Sequence, residues 1–411
     1  MIKGFKKGAE FRPFFYFRAN FNPMKRWIIL GFFGLMAAMS QAFWLNYAAL
    51  GQLLKAKYST GDSENVLLMM VFPLLYVLLS QPSGRWIDRR GYAPVVALGG
   101  LLMAVFALGR LYQGGFYWLL AMQAGIALGQ PLVVNGISKL VSERFPADLA
   151  GTATGLGSAS MFIGMGLGIG LTPELVQGDS LFLADAVFAG LAVLGFVGFG
   201  IAEGLGSIRA GSLEPGHDSG NQEKLSLKTP GVLILSLVSG LALGVFNGLM
   251  AAMEWVLRDY GIGADDAGLA AALLILGGIV GAVVVPPISD KTKKRRPFIR
   301  WAAWLGMLGI GVLLGMPLPM AGLFGLSFIT GMVFLTGYPL ILAASEEEAG
   351  SALAGQATSW IMLAGNAGGV LLTVVTTAIW EGSHNPVWII ALYVVLLLLA
   401  GGLAGIRKRV L

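Results

Sequence analysis

The chain has 411 residues, 56% of them hydrophobic and only 12% charged, about half of the roughly 25% charge that a soluble domain carries. Its formal charge of +6 sits in loops beside long apolar runs, where Lys and Arg act as topology signals rather than as a nucleic-acid face. There is no cysteine, which excludes disulfides, thiolate metal sites and cysteine nucleophiles; what remains is a polytopic protein of the lipid bilayer with no nucleic-acid partner.

Residues 1–26 carry Lys3, Lys6, Lys7, Arg12, Arg18, Lys25 and Arg26 without the compact apolar core of a removable signal peptide, and read as a cytoplasmic N-terminal segment. Crossing about 30 Å of hydrocarbon takes roughly 20 apolar residues. Twelve runs meet that length, at 27–52, 66–86, 93–112, 115–141, 149–173, 181–202, 231–257, 266–288, 297–316, 319–343, 350–379 and 386–406. They lack the two-residue alternation of barrel strands, so each is predicted to be a helix that satisfies its own backbone. The expected fold is an all-α membrane protein of two pseudo-symmetric six-helix bundles, 27–202 and 231–406, joined by a Gly-, Pro- and Ser-containing cytoplasmic linker at 203–230 and followed by a cytoplasmic tail at 407–411. Of the 28 Lys and Arg, 24 fall on the side of the termini and four on the other, Lys55, Lys57, Arg110 and Arg258. That bias puts both termini in the cytoplasm.

Two charged hinges recur 202 residues apart, Gly84-Arg85-Trp86-Ile87-Asp88-Arg89-Arg90-Gly91 and Pro287-Ile288-Ser289-Asp290-Lys291-Thr292-Lys293-Lys294-Arg295-Arg296. Gly129-Gln130-Pro131 in span four returns as Gly337-Tyr338-Pro339 in span ten at an offset of 208, and Ala150-Gly151-Thr152-Ala153-Thr154 returns as Ala354-Gly355-Gln356-Ala357-Thr358 at 204. Three anchors in constant order point to duplicated halves, which is how many transporters build a pathway at an interface.

With Gly84, Asp88, Arg89 and Gly91 meeting the pattern G-x-x-x-D-R-x-G after the second of twelve spans, the chain resembles the major facilitator superfamily over nearly its whole length. The resemblance implies two bundles rocking about a central site, with Asp88 and Arg89 forming a latch on the cytoplasmic side in one state. A carboxylate beside a helix N-terminus and a cation is favourable only while they are close. The copy around Asp290 is counted with the latch residues, but its proline and its run of cations predict mostly a topology anchor.

Polar side chains inside spans are costly and usually face a cavity or another helix. Ser40, Trp44 and Tyr47 fall at i, i+4 and i+7 in span one and share a face, flanked by Gln41 and Asn46. Span four contributes Gln123 and Gln130, with Asn135 and Ser138 beyond; span seven contributes Asn247 and, near its outer end, Glu254; span eleven contributes Gln356, Ser359 and Asn366. Glu254, four residues before Arg258, reads first as half of an end-of-helix pair, with cation attraction or proton coupling as its other role. His217 in the linker and His384 in an outer loop are in neither a catalytic nor a haem-ligating position. The expected chain is a monomer without metal, cofactor or enzymatic centre, and its partner is a small-molecule solute.

Gln41-Ala42-Phe43-Trp44-Leu45-Asn46-Tyr47, the Gly129-Gln130-Pro131 turn, and Gly164-Met165-Gly166-Leu167-Gly168 before Thr172-Pro173 are similar to the FLVCR branch of the superfamily, associated with choline and ethanolamine transport and also with haem. The resemblance implies that Trp44 cradles a quaternary ammonium and that Gln130 contacts the ligand; the expected location is a bacterial inner membrane. A cation over an indole face is worth about 0.5–2 kcal/mol, a physical warrant that stands without the resemblance. Where the branch supplies a span-seven tyrosine this chain has Asn247, and the branch's span-eleven glutamine falls near Asn366, so the cage is one-sided. No arginine stands in the middle of span four, which makes facilitated uniport the first expectation. The Gly-rich span five ending in Pro173 keeps proton-coupled drug antiport second; haem or porphyrin export, a scramblase and a membrane receptor are the other readings.

Overall fold

The computed structural model describes residues 23–204 and 229–406. Most of the N-terminal segment and of the linker, with His217, and the C-terminal tail lie outside the described residues. Twelve helices among the described residues are long and apolar enough to cross a bilayer. These spans, numbered one to twelve, are Pro23–Leu45, Leu67–Arg90, Tyr92–Arg110, Phe116–Arg144, Ala150–Leu175, Phe182–Glu203, Pro230–Asp259, Ala264–Thr292, Arg296–Gly315, Met320–Ala349, Ser351–Ser383 and Pro386–Ala404. The described residues contain no strand, only an isolated bridge between Gln177 and Ser180.

Span one is shorter than its hydropathy predicts. Its helix stops at Leu45, and the chain turns through Ala48–Leu50 into a short helix, Gly51–Tyr58, that ends on Ser59 at φ 53°. Asn46 and Gly51 are weak helix formers, and Tyr47 is drawn inward instead of continuing the apolar face. Spans four and ten are each built of two pieces, Phe116–Val134 with Ile137–Arg144 and Met320–Phe334 with Gly337–Ala349. The interruptions lie close to Pro131 and Gly136 in one and to Gly337 and Pro339 in the other, residues that remove a donor or weaken the helix.

Packing repeats between the halves. Span one lies on five as seven lies on eleven, two on four as eight on ten, and three on six as nine on twelve. Small residues permit the closest approaches: a methyl at Gly168 would meet the Ala42 carbonyl oxygen, and one at Gly368 would meet the backbone of Gly240. Without a hydrophobic drive between helices in lipid, such backbone contacts supply much of the packing. The bundles join along two seams, span two against eleven and span eight against five. Leu74, Leu78, Val105, Leu194 and Leu371 stay exposed, the apolar surface that a bilayer covers.

Candidate functional site

Between the bundles lies a cavity of about 310 Å³. Spans one and two contribute Gln41, Trp44, Phe72 and Tyr76, spans four and five Gln130, Met161, Phe162 and Met165, and the second bundle Phe246, Asn247, Tyr338, Met362 and Asn366. Among the described residues no Asp, Glu, Lys, Arg or His lines it. Six aromatic rings and five methionines make the wall apolar and polarisable, and a few amides supply the polar contacts.

The amides have a fixed sense. Asn247 Nδ2 donates to the Leu243 carbonyl at 2.8 Å, and Asn366 Nδ2 donates to the Met362 carbonyl at 2.9 Å. A carbonyl can only accept, so each amide turns its nitrogen to its own helix, which leaves its oxygen and one N–H as the available groups. Gly369 makes room for this, since a methyl there would come within 2.9 Å of Asn247 Nδ2. The second bundle therefore has two amide oxygens that its own helices do not use.

Trp44, Gln130, Asn247 and Asn366, expected from sequence, all line the cavity. Ser40, Tyr47 and Gln123 do not, which corrects the expected lining. Span one presents Gln41, Trp44 and Leu45 to the cavity, one position round from the expected stripe. Ser40 is fully buried and donates to the Ala37 carbonyl at 2.7 Å. Gln123 is equally buried, and its Nε2 holds the Phe43 carbonyl at 2.9 Å. Tyr47 lies beyond the end of the helix, where its i+7 spacing no longer fixes a direction; its hydroxyl donates to Asp185 Oδ1 at 2.7 Å.

Asp185 belongs to a buried charge cluster that sequence sorting missed. Arg110, counted above among the four cations on the side away from the termini, is only 1% exposed and lies 3.9 Å from Asp185. Its guanidinium covers the rings of Phe43 and Tyr47 at 4.8 and 5.0 Å from their centroids. The group thus ties the end of span one to spans three and six. Glu254 stays partly exposed, paired with Arg258 and away from the cavity.

The cavity ends in hydrogen-bonded polar residues. Tyr76 donates to Asn135 Oδ1 at 2.7 Å, Asn135 Nδ2 reaches Ser83 Oγ at 2.7 Å, and Ser80 Oγ crosses to the Ser359 carbonyl at 2.8 Å. Phe162 meets Tyr338 edge to face at 6.2 Å. From there to the hinge end the bundles are closed against each other. Asp88 accepts from the Gly355 and Gln356 amides at 2.8 and 2.9 Å, at the start of span eleven. Gly84 lies directly against the Gly355 carbonyl, Gly91 turns the chain at φ 78°, and Arg89 is exposed beside them.

Asp290 departs from the expected topology anchor. It accepts from the Gly151 and Thr152 amides at 3.0 and 2.7 Å and from the Thr152 hydroxyl at 2.8 Å, at the start of span five. Arg295 pairs with it at 2.6 Å and with Glu347 at 2.7 Å. Both hinges thus place a carboxylate on a helix N-terminus of the opposite bundle, where amide donors and the helix dipole favour negative charge. Among the described residues no three His, Asp or Glu side chains gather as a metal site.

The family model of the Major Facilitator Superfamily matches residues 28–373. Solute carrier family 49 member A3 of Xenopus tropicalis is 25% identical over 67% of this chain, which spans only 61% of that protein's length. The choline/ethanolamine transporter flvcr2a of Danio rerio is 22% identical over 76% of the chain and 72% of its own, and the cyanate transport protein CynX of Escherichia coli (strain K12) is 25% identical over 77% and 82%. Among solved structures, the human organic anion transporter MFSD10 superposes with a TM-score of 0.70 at 17% identity, covering 93% of this chain and all of that one. The twelve spans, the paired seams and a match across residues 28–373 place the chain in the Major Facilitator Superfamily.

Proposed function

We propose that this membrane transporter moves a choline- or ethanolamine-type organic cation by alternating access, as a facilitator. The observation that carries the reading is the cavity wall: aromatic faces led by Trp44, two amides whose oxygens point away from their own helices, and no basic side chain. Aromatic faces and carbonyl oxygens attract a cation without the cost of burying a second ion. The relatives differ in solute charge, choline or ethanolamine in one and cyanate in another, and a wall without Lys or Arg disfavours the anion. The same lack stands against haem or porphyrin, whose carboxylates need cationic partners. With no carboxylate in the cavity to carry a proton, uniport is the simpler mechanism.

The hinge end is assigned to the cytoplasm, with both termini, so the closed seams make this an outward-facing arrangement. Asp88 and Asp290 act as a double latch, each releasing a helix N-terminus when the bundles rock, while the chain from Tyr76 through Asn135 to Ser80 and Ser359 links the solute to the seam. Uptake of labelled choline into liposomes that carry the purified protein tests the reading. Trp44→Ala should lower uptake about 2- to 30-fold, the span of a cation–π contact, and Trp44→Phe should keep much of it; equal losses would sink the aromatic role. Five methionines favour a second reading, a soft site for varied lipophilic cations. Accumulation of such cations against a gradient, driven by external acid and with choline inert, would establish that one instead.

A further inference from the structure

A second cavity, about 420 Å³, lies at the hinge end of the second bundle, outside the solute pathway. Lys293, Lys294, Arg295, Arg296 and Arg300 line it, with only Glu347 and Glu348 in opposition. Those two carboxylates are already engaged, Glu347 by Arg295 and Glu348 by Arg296. No carboxylate among the described residues pairs with Lys293, Lys294 or Arg300, and Arg300 Nε is buried without a hydrogen-bond partner. Gly405 at the end of span twelve lets the guanidinium of Arg300 lie across it, because a side chain at 405 would occupy the same space. The result is a walled cleft with an excess of cations.

Its surroundings indicate the kind of anion. Arg300 covers the Trp304 ring at 5.5 Å, and Trp304 meets Trp301 edge to face at 5.9 Å. Trp301 is 55% exposed, as tryptophans are at the level of lipid headgroups. Leu305 and Leu308 continue from Trp301 at i+4 and i+7 and are also exposed, so one apolar stripe descends span nine from the mouth of the cleft. A cationic cleft above a lipid-facing stripe complements a molecule with a phosphate at one end and acyl chains at the other. We propose that the cleft binds the phosphodiester headgroup of an anionic phospholipid, with its chains along Trp301, Leu305 and Leu308. Arg295 lines this cleft and also pairs with Asp290, so the cleft adjoins the closed seam. The run of cations that made the second hinge look like a decayed copy of the first then has a function of its own.

Thermal unfolding of the purified full chain in a neutral detergent tests this, with dioctanoyl phosphatidylglycerol, dioctanoyl phosphatidylcholine and glycerol 3-phosphate added in separate arms. Phosphatidylglycerol should raise Tm saturably and the other two should not. Lys293→Gln with Lys294→Gln should weaken the apparent affinity about tenfold or more, with the Tm of the lipid-free protein unchanged because both side chains are exposed; Arg300→Gln should weaken it similarly. An equal shift with phosphatidylcholine, a full shift with glycerol 3-phosphate alone, or an unchanged response in the lysine variant would each overturn the assignment.

Discussion

The two seams use one backbone arrangement and different side chains. At the first, Asp88 holds the Gly355 and Gln356 amides; at the second, Asp290 holds Gly151 and Thr152, residues that correspond at the 204-residue offset of the repeat. The first seam adds Lys139 of span four, whose Nζ donates to the Ser351 carbonyl at 2.7 Å. Its counterpart at the 208-residue offset is Glu347, which instead holds Arg295 beside Asp290. Charge has changed sign at one position of the repeat, and a cation from the hinge has taken the place of the lysine. The motif that is less complete in sequence is therefore also held in the structure, by partners from the loop itself and from span ten.

Removing each carboxylate breaks the comparison most sharply. The chain has no cysteine of its own, so Ser80→Cys, fully buried in the first seam, reports opening by its rate of thiol labelling. Asp88→Ala loses charge-assisted bonds worth about 1.5–3 kcal/mol and should speed labelling about tenfold to a hundredfold. Asp290→Ala loses equivalent bonds and also the ion pair with Arg295, which is only 7% exposed and keeps Glu347 as a partner, so it should speed labelling more than Asp88→Ala does. Equal rates would show that the ion pair adds nothing.

The glycines that let the seams close come next. A methyl at Gly84 would strike the Gly355 carbonyl and the Ser359 side chain, and one at Gly155 would strike the Ala282 carbonyl and the Pro286 ring. Overpacking of this kind costs about 1–3 kcal/mol. Gly155→Ala should open its seam more than Gly84→Ala, since Ser359 can rotate and a proline ring cannot. A larger labelling rate for Gly84→Ala would reverse the assignment of the stiffer seam.

The membrane makes the fold legible in the sequence: spans must be long and apolar, and cations must sort to one side, so all twelve helices were readable from 411 letters. The cavity was readable only in part. Trp44, Gln130, Asn247 and Asn366 stand out as polar or amphipathic residues within apolar helices, but Phe72, Phe162 and the methionines carry no such contrast. Tyr338 had one available signal, its place opposite Gln130 in the repeat. Arg110 was counted only as a topology signal because its counter-charge, Asp185, is three spans further along the chain. Tyr47 was misplaced because helical periodicity was carried past the point where the helix ends.

The smallest effect is also the most selective, because its sign should differ between the seams. Thr358 Oγ1 donates to Ser138 Oγ at 2.6 Å, both fully buried. Their counterparts in the repeat are Thr154 and Glu346, and there Thr154 Oγ1 and Glu346 Oε2 are each buried without a hydrogen-bond partner. Valine matches threonine in shape and lacks the hydroxyl. Thr358→Val leaves Ser138 unsatisfied, at about 1–3 kcal/mol, and should speed labelling of Ser80→Cys about tenfold. Thr154→Val removes a buried hydroxyl that makes no bond, so labelling should stay the same or slow, because burying an unpaired polar group is itself a cost. If Thr154→Val speeds labelling as much as Thr358→Val does, Thr154 has a partner in the membrane, an ordered water or the Glu346 carboxyl, and the second seam is hydrogen-bonded like the first.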